Sequence, residues 1–240
     1  MPCGFNLEHY IDTVYDYRKA GYNLIQVKDL HTINKHDKYL LIRHDVDLSL
    51  KAAKILAAHE RVHDIKSSFY ILLYSPIYNP LAPSNIEAIR EIAGYQHQIG
   101  LHLDSRFETS MSSISNSMSL LGGIIGKNID SYVQHFINET PEVVYPLATD
   151  GLRDVIKVGF KYLSESSMNW REGCFCKHVD KHKRLTVAIH PEWHVFEGTR
   201  GKVIDAARDV EIARLELDVQ QWKNVQVNYL KQFGKIGIDA

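Results

Sequence analysis

The 240-residue sequence has little cysteine, no strong excess of charge and no long apolar run, and each of these absences excludes a class of protein. Three cysteines are too few for a disulfide framework and are typical of a reducing compartment. A formal net charge of −1 provides no global field that would attract nucleic acid or an anionic membrane. No apolar run approaches the roughly 20 residues of a membrane-spanning helix. We therefore expect neither nucleic-acid binding nor membrane insertion.

The amino terminus also lacks the basic start and apolar core of a secretion signal, which predicts a cytoplasmic protein. Hydrophobic residues make up 45% and charged residues 24% of the chain, an ordinary globular composition that is sufficient for one large α/β core. No linker or repeat divides the sequence. We therefore expect one domain over residues 1–240, with a helical lead-in over 1–38 and a helical segment over 201–240.

What the sequence does contain is a regular alternation of strand-like and helix-like segments. β-rich runs predict strands at 39–45, 67–73, 98–103 and 185–190, with shorter ones around Val133, Val144 and Tyr162. Apolar residues at helical spacing predict helices before Gly21 and at 51–62, 85–93 (capped by Ser84), 110–125, 152–158 and 203–233. This alternation indicates a parallel sheet, and about seven such units favour a distorted (β/α)7-type barrel.

Metal-binding and proton-transferring residue types follow several of these strands, and the first group is Arg43-His44-Asp45-Val46-Asp47. In a parallel α/β barrel, functional groups lie at the carboxyl ends of strands. Two carboxylates two residues apart can face one pocket, where one binds a divalent cation and the other accepts a proton. The alternative is that one aspartate simply caps the helix that begins near Leu50.

The second group surrounds the strand at 98–103. His102 lies at its end and is a candidate metal ligand. Asp104 shares a face with His102 if the strand continues, so it could ligate or orient the metal. His97 precedes the strand and is predicted to be structural, holding the turn.

The third group follows the strand at 185–190. His190 ends an apolar run, is followed at once by proline and lies near Trp193, which favours a catalytic acid or metal ligand over a core histidine. A fourth strand end carries His135, for which a functional and a structural role are equally balanced. Cys174 and Cys176, with His178 and His182 nearby, also resemble a metal-binding cluster. Because their spacing is not a standard zinc arrangement, free thiols are the default expectation.

Taken in order, four motifs resemble the polysaccharide deacetylase superfamily, the family 4 carbohydrate esterases. They are Arg-His-Asp-Val-Asp at 43–47, Ser-Ser-Phe-Tyr-Ile at 67–71, His-Gln-Ile-Gly-Leu-His at 97–102 and Ile-His-Pro-Glu-Trp at 189–193. The segment from Tyr162 to Cys174 is similar to the WbmS-like branch, which is found with surface-polysaccharide genes. The resemblance covers about residues 38–195.

The resemblance implies a barrel of usually seven strands and a divalent ion, commonly zinc, bound by one aspartate and two histidines. On this basis Asp45 corresponds to the catalytic base and Asp47 to the metal-binding carboxylate. His102 corresponds to the first metal-binding histidine, and His190 to the late catalytic acid. The segment that usually supports this acid contains Glu165 and the further site candidates Trp170 and Arg171.

Two departures from the family pattern affect the expected site. The second metal-binding histidine falls on Arg106, and a guanidinium has no lone pair with which to ligate a metal. Either Asp104, His135 or His190 completes the site, or metal binding is weak or lost. The arginine-proline segment that normally orients the base is also not recognisable at 144–146.

The resemblance implies a hydrolase that removes an N-acyl group, acetyl or formyl, from a sugar, with a nucleotide- or lipid-linked precursor of surface polysaccharide or O-antigen (lipopolysaccharide) biosynthesis as the expected substrate. Two alternatives remain open: hydrolysis of a non-sugar amide, and a catalytically silent barrel that binds or scaffolds. The carboxy-terminal segment has apolar positions that could pack on its own barrel or on a second subunit of a homo-oligomer, among them Val203, Ile204, Ala207, Val210 and Leu215.

Overall fold

The computed structural model describes residues 3–135 and 143–233, which form one curled parallel sheet whose strands are joined mainly by helices. The strands are β1 Tyr22–Ile25, β2 Lys38–Val46, β3 Ser68–Leu72, β4 Gln98–Leu103, β5 Ser131–Gln134, β6 Thr149–Asp150, β7 Lys161–Ser164 and β8 Arg184–Ile189. The helices are α1 Leu7–Lys19, α2 Leu50–Val62, α3 Pro83–Gly94, α4 Met111–Ile125, α5 Arg153–Lys157, α6 Pro191–Val195 and α7 Arg200–Phe233. Short 3-10 helices lie at Val27–Thr32 and Phe175–His178.

The strands follow the order β6-β5-β4-β3-β2-β8-β7, and every pairing is parallel. Within the described residues β6 and β7 do not pair, so the curled sheet stays open on that side. β1 pairs with the first half of β2, and β3 pairs with its second half. The seven-stranded path confirms the predicted (β/α)7-type barrel. The prediction missed the two short strands β1 and β6, because four and two residues carry too little periodicity.

Local sequence explains most of the element ends. Ser110 caps α4 by accepting a hydrogen bond from Ser113, and Gly126 ends it at a φ of 69°, a left-handed conformation that glycine adopts without strain. Two predictions were wrong. α3 begins at Pro83, with Ser84 inside the helix, because the fixed φ of proline suits the first helical position. No strand forms at Val144.

α7 packs on the body of the protein only through its first turns. Val203 and Ala207 are fully buried, whereas Leu215 and Trp222 are 56% and 64% exposed. The first part of this segment therefore packs on its own barrel, and packing on a second subunit stays a prediction for the remainder. None of the described helices is both long and apolar enough to cross a bilayer.

Glu60 of α2 is a completely buried carboxylate that ties together three elements of the fold. It accepts hydrogen bonds from Tyr10 of α1, from His44 Nε2 of β2 at 2.9 Å and from Ser67 Oγ at 2.6 Å. Burial alone would raise the pKa of Glu60, but His44 and the other donors lower it below its usual range. His97 lies beside this cluster and bonds the Ser67 amide and the Ala57 carbonyl, in agreement with its predicted structural role.

Replacing Glu60 with alanine is expected to destabilise the fold by about 3–5 kcal/mol, because three buried donors would lose their common acceptor. The free energy of unfolding from chemical denaturation measures this loss. The matched control is Glu91→Ala, since Glu91 pairs with Lys54 at 2.7 Å on the half-exposed surface and an exposed pair contributes about 0–1 kcal/mol. Equal losses in the two variants would contradict the role of Glu60.

Candidate active site

A cleft of about 700 Å³ opens at the carboxyl ends of the central strands. Its walls combine titratable side chains with aromatic ones. Those that the sequence singled out are Asp45, Asp47, His102, Arg106, His135, Trp170, Arg171, His190 and Trp193. The cleft has the size of a small-molecule site, and its polar groups come from the ends of four different strands, β2, β4, β5 and β8.

Asp47, His102 and His135 bring one carboxylate oxygen and two ring nitrogens within 4.8 Å of one another. His102 Nε2 lies 3.2 Å from Asp47 Oδ1, and His135 Nδ1 lies 3.6 Å from the same oxygen. The two ring nitrogens are 3.0 Å apart. These three donors converge on one point and leave further positions open towards the cleft, as catalytic metal sites require.

The surroundings of the histidines leave the facing nitrogens able to ligate. The Nδ1 of His102 lies 3.0 Å from the carbonyl oxygen of Val133, which fixes the proton there and leaves the lone pair of Nε2 facing Asp47. Burial and the neighbouring His102 lower the pKa of His135 to about 4. Burial alone would raise the pKa of Asp47, but the hydrogen bond and charges of the surrounding histidines lower it to about 2. Burial lowers the pKa of His102, but the hydrogen bond to Asp47 and the charge of Asp45 raise it above its usual value, so an ion that binds there would displace a proton. An ionised carboxylate and two imidazoles that can give up their protons form a donor set that fits a divalent ion.

Asp104 lies outside this group, contrary to its predicted place among the ligands. Its carboxylate is buried, and Arg106 holds both oxygens, with Nε 2.9 Å from Oδ1 and Nη2 2.5 Å from Oδ2. Because Arg106 occupies both oxygens of Asp104, this carboxylate is not available to the group formed by Asp47, His102 and His135. The structure places His135, from the next strand, in the third position instead.

His190 enters the cleft opposite the two other histidines. Its Nε2 is 3.6 Å from Asp47 Oδ2, and its backbone amide donates to Glu165 Oε1 at 2.6 Å. The second oxygen of Glu165 is 2.8 Å from His194 Nε2, so the carboxylate is fixed from both sides. Burial lowers the pKa of His190, but Glu165 and Asp47 outweigh it and raise the pKa to about 10. The structure thus places Glu165 against the backbone of His190 and against His194, which the sequence did not single out.

Asp45 lies near the end of β2, two residues before Asp47, and Arg43 of the same strand holds it. Arg43 Nη2 is 3.2 Å from Asp45 Oδ2 and donates to the hydroxyl of Tyr162 at 3.3 Å. Asp45 Oδ1 is buried and has no hydrogen-bond partner within the described residues. The helix-cap alternative is wrong for both aspartates, because the side chain that caps α2 is Ser49. The arginine that holds Asp45 is thus Arg43 of the same strand, and not a residue of the segment 144–146.

Aromatic side chains form the remaining wall. Trp170 stacks on Phe175 with ring centres 5.6 Å apart, and Trp193 lies 6.5 Å from the His190 ring. Arg171 lines the rim and is exposed. Glu192, which the sequence did not single out, is buried without a hydrogen-bond partner within the described residues, and burial raises its pKa to about 8. This wall therefore combines aromatic rings with two ionisable side chains.

No protein-family model matches this sequence, and no curated protein matches it. Among solved structures, the Streptococcus pyogenes deacetylase PplD in complex with acetate is 10% identical, with a TM-score of 0.43 over 56% of this chain and 66% of that one. BA3943 from Bacillus anthracis, a family 4 pseudoenzyme, is 12% identical, with a TM-score of 0.43 over 77% and 63%. The polysaccharide deacetylase Bc1974 from Bacillus cereus is 13% identical, with a TM-score of 0.42 over 75% and 89%. The chain thus spans slightly less than two thirds of the first two relatives.

Proposed function

We propose that this chain is a metal-dependent amide hydrolase that removes an acetyl or formyl group from the nitrogen of a sugar. The observation that carries the proposal is the convergence of Asp47, His102 and His135 in one cleft, with His190 3.6 Å from Asp47. One carboxylate and two imidazoles are a donor set that suits zinc. A base candidate, Asp45, and an acid candidate, His190, flank this set, as the two proton transfers of amide hydrolysis require.

Each protein group has a distinct task in this proposal. Asp47, His102 and His135 would hold the ion, which when bound supplies a Lewis acid for the acyl carbonyl. Asp45 accepts the proton of the attacking water at Oδ1, while Arg43 holds its Oδ2. His190 then donates a proton from Nε2 to the departing amine, which would otherwise be a poor leaving group.

The cleft supports a sugar as the substrate. Its volume of about 700 Å³ suits a ligand of one or two rings, and the partly exposed ring of Trp170 can pack against the apolar face of a sugar ring. We infer that the substrate is a nucleotide- or lipid-linked precursor of surface polysaccharide, modified in the cytoplasm, in keeping with the motifs shared with the WbmS-like branch.

The number of bound ions per chain tests the ligand set. Asp47→Ala, His102→Ala and His135→Ala should each bind one zinc ion fewer than the wild type, measured by elemental analysis after loading with zinc and gel filtration. Each variant should also lose release of free amine from N-acetyl and N-formyl amino sugars, free or linked to uridine diphosphate. The matched control is His36→Ala, an exposed histidine near the opposite end of β2, which should retain both the ion and the activity.

The outcomes separate the competing functions. An unchanged ion count in all three variants would overturn the proposed ligand set. An ion that binds to this set without any turnover of the sugars would favour a non-sugar amide as substrate. Absence of both metal and turnover would make the catalytically silent barrel the better description.

A further inference from the structure

A second cluster of metal-binding side chains lies outside the cleft, formed by Cys3, His9, Cys174 and Cys176. One ligand atom from each of the four lies within 4.8 Å of the others. His9 Nε2 is 3.3 Å from Cys174 Sγ, and Cys3 Sγ is 3.3 Å from Cys176 Sγ. These four residues include all three cysteines of the protein. Three thiols without a shared function would not be expected to lie together around one imidazole.

The cluster joins two distant parts of the chain. Cys3 precedes α1 and His9 lies in its first turn, whereas Cys174 and Cys176 flank the start of the 3-10 helix at Phe175–His178. The sequence pointed to His178 and His182 as partners of the two cysteines, but His178 bonds the carbonyl of Glu172 instead. The fold therefore completes the set from the amino-terminal segment, about 165 residues away.

We propose that Cys3, His9, Cys174 and Cys176 bind a structural zinc ion. Three thiolates and one imidazole form a closed tetrahedral set with no position left for substrate, the arrangement that is typical of structural rather than catalytic zinc. A Cys3–Cys176 disulfide is the competing state. It would join only two of the four side chains and would not explain why His9 and Cys174 lie beside them.

The position of the cluster gives the ion a structural task. Phe175 lies between the two cysteines and stacks on Trp170 of the cleft wall at 5.6 Å. Its carbonyl oxygen accepts a hydrogen bond from Tyr17 of α1 at 2.8 Å. A bound ion would therefore fasten α1 to the segment behind the cleft wall. This inference does not depend on the function proposed for the cleft.

X-ray absorption at the zinc edge tests the proposal on the full chain carrying Asp47→Ala, which removes a donor from the cleft site. This protein should retain one zinc ion with three sulfur neighbours at about 2.3 Å. Because the cleft ligands contain no sulfur, sulfur neighbours report on the second cluster alone. Cys174→Ser and Cys176→Ser should lose the ion. The exposed Cys3→Ser, which removes no buried side chain, should retain its fold and show two sulfur neighbours with at least about 10-fold weaker zinc binding.

The matched control is His182→Ala, which removes the histidine suggested by sequence but not by structure and should leave three sulfur neighbours. Removal of zinc with a chelator should lower the melting temperature of the Asp47→Ala protein and expose all three thiols to a thiol reagent. Zinc with only nitrogen and oxygen neighbours, or no zinc in the Asp47→Ala protein, would overturn the proposal. A Cys3–Cys176 disulfide in protein purified with a reductant would also overturn it.

Discussion

The Asp45→Asn variant is expected to lose about 10²–10⁴-fold in kcat/KM while it still binds the cleft ion. An amide keeps the size of the carboxylate but accepts a proton far less readily. Asp45 Oδ1 is buried without a hydrogen-bond partner in the described part of the chain, and Arg43 already holds the other oxygen. Steady-state kinetics on the sugars that the wild type turns over, with the ion count on the same samples, measures both quantities.

The activity and the ion count together show whether Asp45 is a catalytic base or a metal ligand. Loss of the ion in Asp45→Asn would show that Asp45 binds the metal, and full activity would show that it is not the base. Arg43→Lys is an informative companion, because lysine keeps the charge but loses the planar geometry of the guanidinium. It should weaken activity less than Asp45→Asn and leave the ion count unchanged.

Replacement of His190 by asparagine is expected to lower kcat by about 10²–10⁴-fold with little change in KM, because the departing amine loses its proton donor. The ring lies 3.6 Å from Asp47 but outside the three-donor metal group, so the ion count should stay constant. Single-turnover kinetics at saturating substrate isolates this effect from binding.

Two further variants test whether the loss in His190→Asn arises from a structural change and not from the missing proton donor. Glu165→Gln should give a smaller loss and change the pH profile of kcat, since Glu165 contacts His190 and His194 but does not line the cleft. His36→Asn, a remote exposed histidine, should behave as the wild type. A loss below about 10-fold in His190→Asn, or loss of the ion, would rule out the assignment of His190 as the proton donor.

Much of the fold could be predicted because its signals are local. A buried strand such as β2 contains an apolar run, Tyr39-Leu40-Leu41-Ile42, which is visible without knowledge of any neighbour. The polar residues that end such runs, Asp45, His102 and His190, were identified for the same reason. Their roles stay predictions until the variants are measured. The strand predicted at Val144 failed because a short apolar stretch does not distinguish a strand from a loop.

The sequence by itself determined which residues stand at the carboxyl ends of strands, because that depends only on the order of apolar and polar residues along one element. Tertiary structure alone decided which of them meet. Asp104 directly follows the strand that carries His102, yet Arg106 holds Asp104, and His135 at the end of the next strand joins His102. Cys3 reaches Cys176 by the same principle, since a parallel sheet and its connecting helices bring together points that no spacing along the chain relates.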